Sequence, residues 1–564
     1  MSSRGIRTSR RDLLAGETNL CPGGRGRGGG VSVCLVYPNR YGAAMSSLGF
    51  QTVYALLASS AGVACERAFL PERDALAELR RGGQPLCSLE SGRPLADFDV
   101  IAFSTSFEPD YLNIPLLLEL ARIPLWSAER DGSHPLVLAG GAAFMINPEP
   151  VADFLDAIAI GEGEEIVPEL VASLLAPGNG RAELLRSLAL VTGLYVPALR
   201  TPRHVKGRLA GFDYAPGTPE RIVRACPPPE GHRPARSVIL TEGTEFGDMF
   251  LIEVSRGCPR GCRFCTSGFI YAPFRQQPLD HVLAAVDEGL TYRSKIGLVG
   301  AAVSDYAHIG RVCRHVIERG GKVSVSSLRI DRLDSAMLDA LVASGHKTVS
   351  LAPEGGSQRL RDMIRKNLTE RQILDACELL ISRDILNLRL YFIIGLPTET
   401  GDDLEELVRL VTAIRERVVE RARVNKRLGE IVLSVNPFIP KPFTPFQWCA
   451  MEPLPSLERK VKLLEAAFRG LPNVRLKVEG LRDCYFQALL SRGDRNLARL
   501  LAAMARGASL KQAARECAID TDAIVRRTIP LDEVLPWQII GTGEMPALRR
   551  EYERAFGLKE ERDR

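Results

Sequence analysis

Apolar residues arrive in short unbroken bursts over the first 200 positions. VSVCLVY (Val31–Tyr37) is a continuous apolar run, the pattern of a strand covered on both faces. MSSLGFQTVYALLASS follows, with Leu48, Val53, Leu56 and Leu57 at helical spacing. VACERAF (63–69), DVIAFST (99–105), PLVLAGG (135–141) and DAIAIGEGEE (156–165) continue the strand–turn–helix rhythm. The pattern predicts a doubly wound, Rossmann-like α/β domain over residues 31–198. Ligands of such sheets lie at the carboxyl ends of the strands. Those ends read Tyr37-Pro38-Asn39, Ser104-Thr105-Ser106, Gly140-Gly141 and Gly161-Glu162-Gly163.

The rhythm then breaks. Residues 199–247 are rich in proline, glycine and arginine with no sustained period, and are expected to form a linker arm. A second series starts at MFLIEVS (249–255) and continues with SKIGLVG (294–300), KVSVSSL (322–328), KTVSLAPE (347–354), NLRLYFIIG (387–395) and EIVLSVNPF (430–438). Amphipathic helices such as TERQILDACELLIS separate the runs. Six β/α units are too few for an eight-stranded closure, so residues 248–470 predict a partial (β/α)6 barrel with its chemistry at the strand carboxyl ends. Residues 471–564 read as a helical C-terminal extension, and 1–30 as a disordered Arg/Gly tail. TSRRDLLAG imitates a twin-arginine export signal, but no apolar core or cleavage site follows it.

Composition narrows the class only slightly. A net charge of +5 on 564 residues neither demands nor excludes a nucleic-acid partner. Thirteen cysteines, an odd number without a regular framework, point to a reducing compartment and a cytoplasmic protein. No apolar run approaches the roughly 18 residues of a membrane span.

Three of the cysteines are clustered. Cys258, Cys262 and Cys265 follow the first strand of the second series in VSRGCPRGCRFCTSGF. Gly257, Pro259 and Gly261 keep that loop out of a helix and let backbone approach a bulky ligand. Soft thiolates on one loop suit zinc or an iron–sulfur cluster. A structural zinc wants a fourth ligand, and no histidine stands in a recognisable zinc pairing. Three cysteines on a four-iron cluster leave one iron open.

The CxxxCxxC spacing, with Phe264 before the last cysteine, closely resembles the radical S-adenosylmethionine superfamily. The resemblance implies a 4Fe-4S cluster on Cys258, Cys262 and Cys265, with S-adenosylmethionine on the open iron. It implies reductive cleavage to a 5′-deoxyadenosyl radical and an external electron donor of flavodoxin or ferredoxin type. By the same resemblance Phe264, Gly300, Ala301, Glu354, Arg359 (or Arg361), Ile393 and Gly395 contact the cofactor. The usual Gly-Gly-Glu at the second strand here reads Gly300-Ala301-Ala302, without its acid. Pro442 and Phe443 fall in a segment resembling the sixth-strand turn and read as scaffold.

The preceding α/β domain resembles the cobalamin-binding-type domain of a large subfamily, which makes Ser104, Ser106, Gly140 and Gly141 candidates to line a corrin site. An Asp-x-His-x-x-Gly loop is absent. The leading reading is cobalamin-dependent methyl transfer or rearrangement at unactivated carbon. The alternative is a cobalamin-free hydrogen-abstracting or RNA-modifying enzyme, and a third is a cluster-based DNA-binding redox sensor. Methylthiotransferases carry three clustered cysteines in their first domain, whereas Cys34, Cys65 and Cys87 are far apart here. ASLKQAARECAIDTDAIVRR (508–527) has the cadence of a helix-turn-helix, read as plain packed helices.

Overall fold

The computed structural model describes residues 10–21, 30–177, 180–205, 208–227, 233–325, 328–541 and 545–558. The chain forms two compact units. One spans Met1–Asp248, Gly493–Thr521 and Asp532–Thr542, and the other Met249–Arg492, Asp522–Leu531 and Gly543–Arg564.

The first unit is built on six strands: β1 (Val31–Tyr37), β2 (Val63–Phe69), β3 (Val100–Ser104), β4 (Leu136–Gly140), β5 (Ala157–Ala159) and β6 (Leu194–Tyr195). Their order is β2-β1-β3-β4-β5-β6, all parallel except the short β6. The five expected strands are present. The order reverses between β1 and β3, which opens a crevice above their carboxyl ends. Helix Leu48–Ser59 packs on the sheet through Phe50, Tyr54 and Leu57, with Val53 and Leu56 of the expected stripe half-buried against the same core. Gln51 of that helix is buried and spends its amide on Met45 O (2.7 Å) and on the backbone N–H groups of Val238 and Ile239.

Part of the tail expected to be disordered is ordered. Arg10–Ala15 is a helix, and Glu17–Asn19 pairs antiparallel with Ile239–Thr241. The reason is electrostatic: Arg67 is 1% exposed and needs acids, which Glu17 (2.7 Å) and Glu90 (2.6 Å) supply. Residues 1–9 and 22–29 of that tail lie outside the described residues. The expected linker also contains structure, an antiparallel hairpin of Arg200–Val205 with Arg208–Tyr214 and a short parallel pairing of Ile222–Val223 with Ile540–Gly541.

The second unit contains seven parallel strands: β7 (Met249–Glu253), β8 (Lys295–Val299), β9 (Lys322–Val325), β10 (Thr348–Glu354), β11 (Asn387–Ile394), β12 (Ile431–Pro437) and β13 (Val474–Val478). They run consecutively, with a parallel bridge from Leu328 to Leu351 joining β9 to β10. The six expected strands are all there. The seventh, β13, lies inside the stretch read as helical, where VRLKV alternates too briefly to stand out. In β11 and β12 alternate residues are buried and half-buried, so one face is sealed by helices and the other looks into the open barrel. Helix starts are well specified: Thr369 with Gln372, and Thr400 with Asp403, close capping boxes.

The remaining C-terminal residues divide between the units. Helix Leu497–Ala505 belongs to the first, where Arg495 meets Glu149 (3.2 Å), and helix Met545–Phe556 belongs to the second. Residues 508–527 form two short helices, Leu510–Glu516 and Thr521–Val525. Arg526 at their basic end pairs with Asp522 (3.0 Å) and stacks on Tyr485.

Candidate active site

β7 delivers the chain to a loop pinned at its base by the antiparallel pairing of Ser255–Arg256 with Arg275–Gln276. Gly257 has φ +81°, and a Cβ there would stand 2.6 Å from the Tyr271 carbonyl oxygen, so glycine is required. Cys262 is buried, Cys258 and Cys265 are half-buried, and all three are free thiols. Burial raises the Cys258 thiol and pushes Cys262 up to about 11. Cys265 adds to both shifts, so the three sulfurs are neighbours. Lys366 acts on Cys262 in the opposite direction. Among the described residues no three His, Cys, Asp or Glu side chains converge on a site for a single metal ion.

The loop is gripped from several sides. Arg260 reaches Asp305 (2.7 Å) and Asp331 (3.4 Å), beyond β8 and β9. Arg329 joins the same two acids at 3.3 and 2.8 Å. Arg263 donates to Met363 O (2.6 Å), its N–H donates to Ile364 O, and its own carbonyl accepts from Phe446 N–H of the sixth-strand turn. Helix Met545–Phe556 adds Glu551, which meets both Arg263 and Arg365 at 3.3 Å. Sequence reasoning missed all of these partners. Each is a charge or a backbone group distant in sequence, and only the fold brings it to the loop.

The residues expected to contact the cofactor divide into two groups. Glu354 ends β10 at φ +66° and pairs with Lys366 at 3.2 Å, and both bear electrostatically on Cys262. An acid in the left-handed region is strained, which marks this position as shaped for something other than strand propagation. Gly300 lies against the loop base, where a Cβ would stand 2.9 Å from Ser255 Oγ. That hydroxyl is buried with no partner among the described residues. Phe264 is half-buried and Ala301 exposed. Gly395 has φ +71°, gives its N–H to Glu399 (2.8 Å), and has no room for a Cβ against Leu457 and Glu452. Lys460 ties those two acids together at 2.7 and 2.6 Å, fixing the backbone beside the half-buried Ile393.

The two arginines are engaged by the protein itself. Arg359 is bound to Asp403 and to Thr398 at the start of helix Gly401–Asn425. Arg361 is fully buried and saturates the carbonyls of Gly355, Gly356 and Leu368. Lys366 is the cation that acts on Cys262, while the Arg365 guanidinium lies against Gly261 of the same loop.

In the first unit the crevice between β1 and β3 is polar. Tyr37 Oη donates to Ser106 Oγ (3.2 Å), Asn39 Nδ2 to Asp110 Oδ1 (2.8 Å) and Asn113 Nδ2 to Pro38 O (2.8 Å). Asp110 Oδ2 and Thr105 Oγ1 are buried without a partner among the described residues, and burial pushes the Asp110 carboxyl up to about 6. Phe107, 63% exposed, stands beside them. Ser104 is buried and pairs with Gly140 in register, and Gly141 at φ +113° leaves no room for a Cβ against the Thr105 backbone. Cys34 and Cys65 are buried thiols in β1 and β2 and Cys87 is exposed.

Comparison with known proteins agrees with this layout. A family profile described as "Radical SAM proteins, N-terminal" matches residues 49–197, and one described as "Radical SAM superfamily" matches residues 252–411. An uncharacterised protein of Methanocaldococcus jannaschii is 29% identical over 83% of this chain and 90% of its own length. The cytidylyl-2-hydroxyethylphosphonate methyltransferase of Streptomyces wedmorensis is 27% identical over 30% of this chain and 32% of its own. Ribosomal-protein and tRNA methylthiotransferases match over about three tenths of it. Among solved structures, the cobalamin-dependent S-adenosylmethionine radical enzyme OxsB aligns over 93% of this chain and 81% of its own, with 14% identity and a TM-score of 0.47. No helix among the described residues is long and apolar enough to cross a membrane. The two profiles together span more than half of the sequence, with the cysteine loop inside the second, and the chain belongs to the radical S-adenosylmethionine superfamily of enzymes, whose cofactors are a 4Fe-4S cluster and S-adenosylmethionine.

Proposed function

We propose that Cys258, Cys262 and Cys265 hold the cluster and that the carboxyl ends of β7, β8, β10 and β11 hold S-adenosylmethionine. The observation that carries this reading is the convergence of Glu354 and Lys366 on Cys262. The donor set fits: three soft thiols share one loop whose glycines leave backbone room, and the orphaned Ser255 hydroxyl beside Gly300 awaits a polar ligand. When bound, the cluster supplies the electron that cleaves S-adenosylmethionine to methionine and a 5′-deoxyadenosyl radical. Lys366 offsets the charge of ligating sulfur and can receive the cofactor's carboxylate, while Glu354 can receive its ribose or ammonium. Ile393 offers an apolar face to adenine, next to the backbone held rigid through Gly395 and Glu399. Arg359, engaged by Asp403, is assigned to the start of the following helix.

The first unit is read as a cobalamin site at the β1–β3 switch point. Two orphaned acceptors, Asp110 Oδ2 and Thr105 Oγ1, suit a ligand rich in amide N–H donors, and exposed Phe107 suits a flat ring. Ser104, Ser106, Gly140 and Gly141 would line it. Methyl transfer at unactivated carbon follows as the reaction, and a methyltransferase is among the relatives. The electron donor is of flavodoxin or ferredoxin type, and thirteen cysteines without a disulfide suit the cytoplasm. Anaerobic reconstitution tests both halves. The expected result is about four irons per chain, abolished by alanine at any of the three cysteines, together with corrin absorbance. Iron without corrin would move the reaction to cobalamin-free hydrogen abstraction.

A further inference from the structure

β10 to β13 turn one face to their helices and the other to the open interior of the barrel. On the helix side Leu388, Leu390, Phe392, Ile431, Leu433 and Val435 are almost completely buried. On the interior side, Ser350, Arg389, Val432 and Arg475 share one row of the parallel register. Tyr391, Ser434 and Lys477 form the next row, and Ile393 and Asn436 the one above. Three cations therefore stand on one face. None of the three side chains makes an ion pair or hydrogen bond among the described residues, and Arg389 Nε is buried without a partner.

That is costly for a guanidinium drawn partly out of water. Other arginines of the unit show the usual remedy, with Arg361 saturated by carbonyls and Arg263 shared between Met363 O and Glu551. A cation kept unpaired inside a barrel, among hydroxyl and amide groups, is a receptor waiting for an anion. We infer that the substrate carries a phosphate group and that Arg389 receives it, with Arg475 and Lys477 supplying further positive charge from the barrel's edge strand. A planar guanidinium fork matches phosphate oxygens, and three cations exceed what one carboxylate requires. Four residues of β11, about 13 Å of strand, separate Arg389 from Ile393. The substrate is a small molecule long enough to reach from the Arg389 side chain to the strand ends where the radical is generated. This inference rests on the barrel being the unit that binds S-adenosylmethionine.

The test titrates inorganic pyrophosphate and inorganic phosphate into the full-length protein by calorimetry and thermal melting, with acetate as the carboxylate control. Wild type should bind pyrophosphate, and Arg389→Met should weaken that binding by about tenfold or more, the usual cost of losing a charge-assisted contact. Without anion, Arg389→Met should melt no lower than wild type, since it removes a charge with no partner. Arg389→Lys should fall between the two. Absence of phosphate binding in wild type, equal affinity in Arg389→Met, acetate binding as strong as phosphate, or a lower melting temperature for Arg389→Met without anion would each overturn the assignment. S-adenosylmethionine affinity is measured alongside. Its loss in wild type would remove the proposed function and leave the anion result standing, whereas its retention in Arg389→Met keeps the two apart.

Discussion

Two carboxylates carry opposite tensions. Asp110 is held up near pH 6 by burial, above the ordinary carboxylate range. A raised acid contributes stability while it is protonated, at pH below the unfolded value near 4, and loses it as pH climbs through 6. Wild type should therefore lose about 1 kcal/mol between pH 5 and pH 7.5 relative to Asp110→Asn. Denaturant midpoints at the two pH values measure it, and parallel curves for both proteins would show that Asp110 is not buried as described. Glu354 is tied instead to Lys366 and strained at positive φ. Glu354→Ala should weaken S-adenosylmethionine binding, read by calorimetry, while cluster absorbance stays unchanged, because the acid is proposed to touch ligand and not iron. Equal affinity in the two proteins would return Glu354 to an ordinary loop acid.

Among the elements, helix Met545–Phe556 has a role its sequence does not announce. It buries Leu548 and Tyr552, sets Tyr552 against Trp448 and Phe556 against Phe446, and Glu551 then faces Arg263, between Cys262 and Cys265. Arg365 and Arg554 converge on the same carboxylate, so Glu551→Gln leaves three guanidinium groups facing one another near the cysteine loop. Iron should be lost to a chelator about two- to fivefold faster, the scale of a partly exposed ion pair. The cluster should also reduce more easily, since a nearby negative charge is gone. Glu553→Gln, whose acid meets Arg549 alone among the described residues, is the control. Equal rates in the two variants would leave the helix as packing alone. The elements that the sequence makes legible are those with long apolar runs, β1 to β5 and β7 to β12. β13 escaped because five alternating residues on an edge resemble any polar stretch, and Glu17–Asn19 escaped because its pairing depends on Arg67, fifty positions away.

For the whole molecule, the cysteine motif identified the chemistry and left the surroundings open. Its spacing is local, so Cys258, Cys262 and Cys265 could be read directly. The charges that grip it (Lys366, Asp305, Asp331 and Glu551) lie up to about 290 residues away and follow no short pattern. The partner of Arg359 was hidden for the same reason, Asp403 being 44 residues on. The first unit poses the remaining question, which the protein as a whole can answer. If the β1–β3 crevice takes cobalamin, binding should raise the melting temperature in proportion to the logarithm of ligand excess, by mass action on the folded state alone. No histidine stands at β1's carboxyl end, where the turn reads Tyr37-Pro38-Asn39-Arg40. Cobalt in the Co(II) state should therefore show no superhyperfine splitting from a protein nitrogen in its electron paramagnetic resonance spectrum. Asp110→Leu should lower the thermal shift with hydroxocobalamin by removing the orphaned acceptor, while leaving iron content and S-adenosylmethionine binding in the second unit unchanged. A shift of equal size in wild type and variant would place the corrin elsewhere, and no shift in either would leave the crevice to another donor-bearing ligand.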